Sequence, residues 1–178
     1  MKYLKTYENL NQDPIIYYHE NGKKSRETYY LNGKYHRVDG PAYQSWYENG
    51  RIEESSYYIN GNYHREDGPA EQSWHYNGQK GSESYYLNGI CHRADGPAYQ
   101  FWYENGQKRS ESYYLNDKPH RENGPASQYW HKNGKKDESY YLNDNRYSRE
   151  EWLNKLKEMN SPHYQEQLLK YDAEKYNL

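Results

Sequence analysis

The sequence has one cysteine (Cys91), one valine (Val38), one phenylalanine (Phe101) and two methionines. Each scarcity excludes something. A single thiol cannot build an internal disulfide framework, and it suits a reducing compartment. Leu, Ile, Val and Phe together number 18 in 178 residues. That is too few for an ordinary aliphatic core and, taken alone, is a mark of disorder. The first twenty residues hold no apolar run of signal-peptide type, and no stretch approaches the ~18 apolar residues of a membrane helix. A net charge of −2 lacks the basic surplus of general nucleic-acid binders. There is no Cys-x-x-Cys, no His-Glu-x-x-His, no glycine-rich phosphate loop after a strand and no nucleophile elbow. These absences point to a cytoplasmic protein without metal, cofactor, transmembrane segment or enzymatic site.

What is abundant is tyrosine. The chain has 26 Tyr and 5 Trp, and each aromatic side chain buries roughly 150–250 Å². They can replace the missing aliphatics. Because every phenol needs a partner or water, the resulting core should be thin and wet at its edges. The weak net charge also argues against disorder.

Self-comparison gives the organisation. His36-Arg37-Val38-Asp39-Gly40-Pro41-Ala42 returns at 64–70, 92–98 and 120–126, always 28 residues on. Trp46, Trp74, Trp102 and Trp130 keep that step, with Tyr18 in the equivalent earlier place. Asn-Gly pairs recur at 21–22, 49–50, 77–78, 105–106 and 133–134. A second series occupies 32–33, 60–61 and 88–89, then becomes Asn116-Asp117 and Asn143-Asp144. Asn-Gly between alternating residues signals a tight hairpin with both turn residues at positive φ. Proline lacks a donor, so Pro41 and its copies fit the start of a strand. Each unit therefore reads as two strands, about Ala42–Glu48 and Ile52–Ile59 in the second unit. Five units give about ten strands of an elongated antiparallel β-meander, a single-layer, all-β repeat.

Strand alternation separates two faces. Ala42-Gln44-Trp46 repeats unchanged at 70–74, 98–102 and 126–130. The opposite face varies: Tyr43-Ser45-Tyr47, Glu71-Ser73-His75, Tyr99-Phe101-Tyr103 and Ser127-Tyr129-His131. Leu31, Ile59, Leu87, Leu115 and Leu142 predict an aliphatic column. Near Tyr147 the pattern changes. Ser148-Arg149-Glu150-Glu151 is a capping box, followed by Trp152, Leu153, Leu156 and Met159 at helical spacing. Ser161-Pro162 predicts the start of a second helix with an apolar stripe of Tyr164, Leu168 and Tyr171. The organisation is thus a lead-in (1–13), a repeat sheet (14–147) and a C-terminal α-helical cap (148–178).

The run Trp-x-x-Asn-Gly, then Tyr-Tyr-Leu-Asn-Gly, then a short link, resembles the MORN-type β-hairpin repeat. It is closer still to the variant in YwqK-type antitoxin-like proteins and in repeat proteins of bacteria and large viruses. The resemblance covers residues 14–147, with a longer His-Arg-x-Asp-Gly-Pro-Ala link than ordinary MORN units carry. It implies a single-layer antiparallel sheet used for protein association and, in some proposals, for membrane lipids. A chain rich in Asn, Lys and Tyr also fits an AT-rich bacterial, phage or large-viral genome, and host cytoplasm if viral.

Two sets of residues are candidates for function. The variable aromatic face (Tyr43, Tyr47, His75, Tyr99, Phe101, Tyr103, Tyr129 and His131) fits recognition of another protein, since aromatics are enriched in binding surfaces. The expected activity is a non-enzymatic protein-binding scaffold of antitoxin, immunity or host-targeting inhibitor type. A second copy of the chain is also a conceivable partner. The link residues His36, Arg37, His64, Arg65, His92, Arg93, His120 and Arg121 offer an alternative, a small-anion or nucleotide binder with phosphates on the Arg row and bases on Tyr faces. Against it stands a structural role, each Arg pairing with its own turn's Asp or a nearby Glu and each His bonding the link backbone. Membrane-lipid association is a third alternative, without basic surplus to support it.

Overall fold

The computed structural model describes residues 13–176. The expected lead-in, 1–13, lies outside the described residues except for Asp13. The chain divides into two compact units, residues 1–89 and 90–178.

In residues 1–89 six strands pair in sequence order, all antiparallel. They are Ile15–Tyr18, Lys24–Thr28, Tyr43–Trp46, Ile52–Ser56, Glu71–Trp74 and Lys80–Ser84. In residues 90–178 the same meander runs through Tyr99–Trp102, Lys108–Ser112, Ser127–Trp130, Lys136–Leu142 and Asn145–Tyr147. Helices α1 (Arg149–Glu158) and α2 (Tyr164–Tyr176) follow. The expected all-β meander of hairpin units, closed by helices, is the architecture of the protein.

The two Asn-Gly series close different turns. At Asn49-Gly50 only the glycine is left-handed, at φ 88°. Asn49 Oδ1 accepts the Arg51 N–H (2.9 Å), and Gly50 N–H donates to Tyr47 O (2.8 Å). This is a three-residue loop with a glycine bulge, not the two-residue turn the dipeptide predicts. At Asn60-Gly61 both residues are left-handed, at φ 52° and 85°, as a type I′ turn requires.

That second turn corrects the expected strand Ile52–Ile59. The ladder ends at Ser56, and Tyr58–Ile59 pairs instead with Asn62–Tyr63 in a short separate hairpin. Tyr30–Leu31 with Lys34–Tyr35, and Tyr114–Leu115 with Lys118–Pro119, do the same. A two-residue turn brings its flanks together at once, so their hydrogen bonds are spent on each other and on the neighbouring hairpin. Arg37 N–H donates to Tyr58 O (3.0 Å) and Gly61 N–H to Tyr35 O (2.8 Å). The short hairpins thus form a second hydrogen-bonded spine beside the main sheet.

The interior is made of small residues. Ala42, Ala70, Ala98, Ser56 and Thr28 are buried, because only a short side chain fits where strand meets link. Ladders of larger side chains hold the faces. Lys24 pairs with Glu27, Lys80 with Glu83 and Lys108 with Glu111. In the second repeat Ile52 and Ser55 replace both members together, which keeps an unpaired charge off the sheet. The expected aliphatic column is not a continuous core: Leu142 is 3 % exposed, whereas Leu115 is 37 % exposed. Only Leu142 lies under the helices.

Among the described residues the one dry cluster, Tyr140, Leu142, Trp152, Leu153 and Leu156, sits between the last hairpin and α1. The capping box is complete: Glu151 N–H donates to Ser148 Oγ (3.2 Å) and Ser148 N–H to the Glu151 carboxylate (2.8 Å). α2 starts at Tyr164 rather than Pro162. Ser161 instead donates its hydroxyl to Glu122 (2.7 Å) and accepts the His163 N–H (3.3 Å). The residue of α2 that is buried is Gln167, not Leu168. Its amide donates to Asn123 O (3.2 Å), and Trp152 Nε1 donates to Arg121 O (3.1 Å), so the helices dock on the fourth link through hydrogen bonds as well as on the apolar cluster.

Candidate functional site

The links are built alike. Arg37 Nε donates to Asp39 Oδ1 (2.8 Å) and Nη1 to Pro41 O (3.4 Å), while its guanidinium lies 4.0 Å from the Tyr29 ring centroid. Arg65 does the same with Asp67, Pro69 and Tyr57. Arg121 uses Asn123, Pro125 and Tyr113, and Arg93 uses Asp95 and Pro97. Hydrogen bonding and charge from the guanidinium hold the Asp39, Asp67 and Asp95 carboxyls below their usual range. The guanidinium passes over the glycine: a Cβ on Gly68 would stand 3.1 Å from Arg65 Cζ, tight enough that the arginine would have to shift.

The link histidines reach forward one repeat. The Nδ1 atoms of His36, His64 and His120 accept the N–H of Asn60, Asn88 and Asn143, each the first residue of the next tight turn. The partner is therefore the following unit's turn, not the histidine's own link. His92 Nδ1 is buried without a hydrogen-bond partner. In that repeat the Cys91 N–H is taken by the Asp117 carboxylate (2.7 Å). Between successive links lie open clefts. One, of about 630 Å³, is lined by Arg37, Asp39, Tyr57, His64, Arg65 and Asp67 among others. Another, of about 640 Å³, is lined by Arg93, Asp95, Tyr113, His120, Arg121 and His163 among others. Both pair their cations with carboxylates or an amide.

The variable face divides into residues that build the sheet and residues that remain outside its bonding. In residues 1–89, Tyr47 donates its hydroxyl to Trp74 O (2.7 Å) and meets Tyr76 edge-on, while Tyr43 meets Tyr35 edge-on. His75 occupies the same turn position as Tyr47, its backbone closing the loop to Gly78 and Gln79. His19 Nε2 contacts Trp46 O (2.7 Å). The position alternates His and Tyr along the chain, and in His19, Tyr47 and Tyr103 the polar tip reaches the carbonyl of the Trp one repeat on. Sequence reasoning missed this, although the 28-residue alternation His19, Tyr47, His75, Tyr103, His131 was a readable sign.

In residues 90–178 the predicted residues come together. Phe101 and Tyr129 face the same residue, Ser110, from its two sides. Tyr103 donates to Trp130 O (2.9 Å) and lies against the Tyr129 hydroxyl, and Tyr129 meets His131 edge-on at 4.7 Å. His131 is paired with Asp137 (2.6 Å). Phe101 is 40 % exposed. The exposed Arg109 guanidinium is 5.9 Å from both tyrosine rings, and Lys132 Nζ is 5.3 Å from Tyr103. No carboxylate among the described residues pairs with either cation. Tyr99 lies apart, edge-on to Tyr114 (5.2 Å) and beside the Cys91 thiol. Burial pushes that thiol up to about 11, which leaves it protonated and unreactive.

Among the described residues no group of three His, Cys, Asp or Glu side chains is placed to hold a metal ion, and no helix is long and apolar enough to cross a membrane. No protein-family model matches the chain, and no curated protein matches it.

Proposed function

We propose that the chain is a non-enzymatic protein-binding repeat scaffold of MORN-like type, acting in a reducing cytoplasm in the manner of an antitoxin, immunity or host-targeting inhibitor protein. The observation that carries this reading is the patch of Phe101, Tyr103, Tyr129 and His131 with Arg109 and Lys132. The repeated framework is consumed by bonds within the chain. Here the repeat departs from its own pattern and leaves an apolar ring and two cations without a carboxylate partner among the described residues. Aromatic and Arg side chains together are the composition of binding hot spots. The matching partner surface offers an apolar group to Phe101 and carboxylates to Arg109 and Lys132.

The test replaces Phe101 and Arg109 by Ser and leaves Tyr103, which bonds Trp130 O, in place. Pull-down from native lysate should capture the partner at least about tenfold less well, the scale of hot-spot truncations, with an unchanged circular dichroism spectrum. Equal capture by the folded variant would remove the patch from the binding site.

A further inference from the structure

The short hairpins carry tyrosines in direct opposition. Tyr30 is the Cα partner of Tyr35, and Tyr58 of Tyr63. Their rings are stacked, with centroids 4.7 Å apart at 25° and 4.3 Å apart at 30°. Between hairpins the column continues, Tyr35 to Tyr58 at 5.1 Å and Tyr63 to Tyr86 at 5.2 Å. The fold does not need paired phenols at these places. In residues 90–178 Tyr114 stands opposite Pro119 and Tyr141 opposite Arg146, and the hairpins form all the same. Tyr140 also stands opposite Tyr147, but its ring packs on Trp152 (5.0 Å); the stacked pairs across tight turns lie in residues 1–89, where the backbone spine already fixes the register.

We propose that Tyr30–Tyr35 and Tyr58–Tyr63 are oxidative cross-linking sites, at which one-electron oxidation of both rings joins them through a carbon–carbon bond between positions ortho to the hydroxyls. Each ring loses one electron and its hydroxyl proton to become a phenoxyl radical, whose unpaired electron has density on the ortho carbons. Two such carbons bond. Each ring-carbon hydrogen then moves to its own oxygen, restoring two aromatic phenols. The net loss is two electrons and two protons, which one hydrogen peroxide takes up, through a heme peroxidase, to leave as two waters.

Stacking makes the coupling intramolecular. A partner ring held at van der Waals distance presents a very high effective concentration, whereas a radical on an isolated exposed ring must meet another molecule. Hydrogen bonding with the Tyr30 hydroxyl, together with burial, pushes the Tyr35 phenol up to about 12, and burial raises Tyr58. Both remain neutral near pH 7, so the proton leaves with the electron. The product is a covalent rung across each short hairpin.

The whole chain is treated with a heme peroxidase and limiting hydrogen peroxide, then digested and mapped by mass spectrometry. The expected result is dityrosine fluorescence, with peptide pairs carrying Tyr30–Tyr35 and Tyr58–Tyr63 lighter by two hydrogens. These should exceed links through the exposed Tyr18, Tyr76 and Tyr176 by about tenfold or more, as the held geometry requires. Tyr63→Phe keeps the ring and the stack; it should abolish the second link and spare the first. Links found only between molecules, through the exposed tyrosines, would overturn the proposal. So would coupling at Tyr30 and Tyr58 no more frequent than at Tyr114, which faces Pro119 across its hairpin and meets Tyr99 edge-on.

Discussion

Trp152→Ala is expected to destabilise the C-terminal region by about 3–5 kcal/mol, the range for removing a large buried aromatic. Trp152 is 1 % exposed and packs against Tyr140 at 5.0 Å between ring centroids. Truncation opens a cavity in the dry cluster formed with Tyr140, Leu142, Leu153 and Leu156. It also leaves Arg121 O without the indole donor, a second cost that an apolar cavity alone would not carry. α1 and α2 are 10 and 13 residues long, lengths that are marginal as isolated helices in water. They persist because they are docked. Far-UV circular dichroism during urea unfolding should therefore show helix signal lost at lower denaturant than strand signal in the variant. Leu169, 71 % exposed on α2, is the control, and its Ala variant should stay within about 0.5 kcal/mol of the parent. A Trp152 variant that unfolds with the parent's midpoint would mean that the helices do not depend on this cluster.

The docking of these helices illustrates which parts of the fold were legible. Ser148, Glu151, Trp152, Leu153 and Leu156 announce a capped amphipathic helix because the information is local: a cap and a 3.6-residue stripe. Gln167 and Ser161 were not legible as anchors, since their partners Asn123 and Glu122 are 44 and 39 residues away and polar side chains at a helix surface look the same whether docked or solvated. The sheet divides in the same way. The 28-residue step, the small Ala42 column and the Arg–Asp pairing follow from the repeated link. The break at Tyr57 does not, because Tyr57-Tyr58 continues the strand alternation without interruption. Nor does the difference between Asn49-Gly50 and Asn60-Gly61, as one dipeptide serves a three-residue and a two-residue loop. For the candidate site, alternation placed Phe101, Tyr103, Tyr129 and His131 on one face. Arg109 escaped notice because the register shift beside Trp102 upsets the alternation that would have assigned it.

The link itself gives the second large effect. Gly68→Val should cost about 1–3 kcal/mol, the usual penalty for forcing extra methyl groups into a packed site. The reason is contact rather than backbone strain, since Gly68 is not in the left-handed region. A Cβ there would stand 3.1 Å from Arg65 Cζ and 3.3 Å from Nε, tighter than most Cβ contacts, so the guanidinium must give way. The guanidinium can swing away, but only by leaving Tyr57, 4.1 Å beneath it, and its bonds to Asp67 and Pro69 O. What the valine costs is therefore what the clasp contributes. This makes the two residues energetically one. In an Arg65→Ala background the same valine meets no guanidinium and should cost little, so the double variant should be more stable than the sum of the two single effects by at least about 0.5 kcal/mol, outside the range in which independent sites add. Urea midpoints of the four proteins measure this directly. Additivity within about 0.3 kcal/mol would show that Arg65 does not occupy the space above Gly68, and the link would then need another explanation for its glycine.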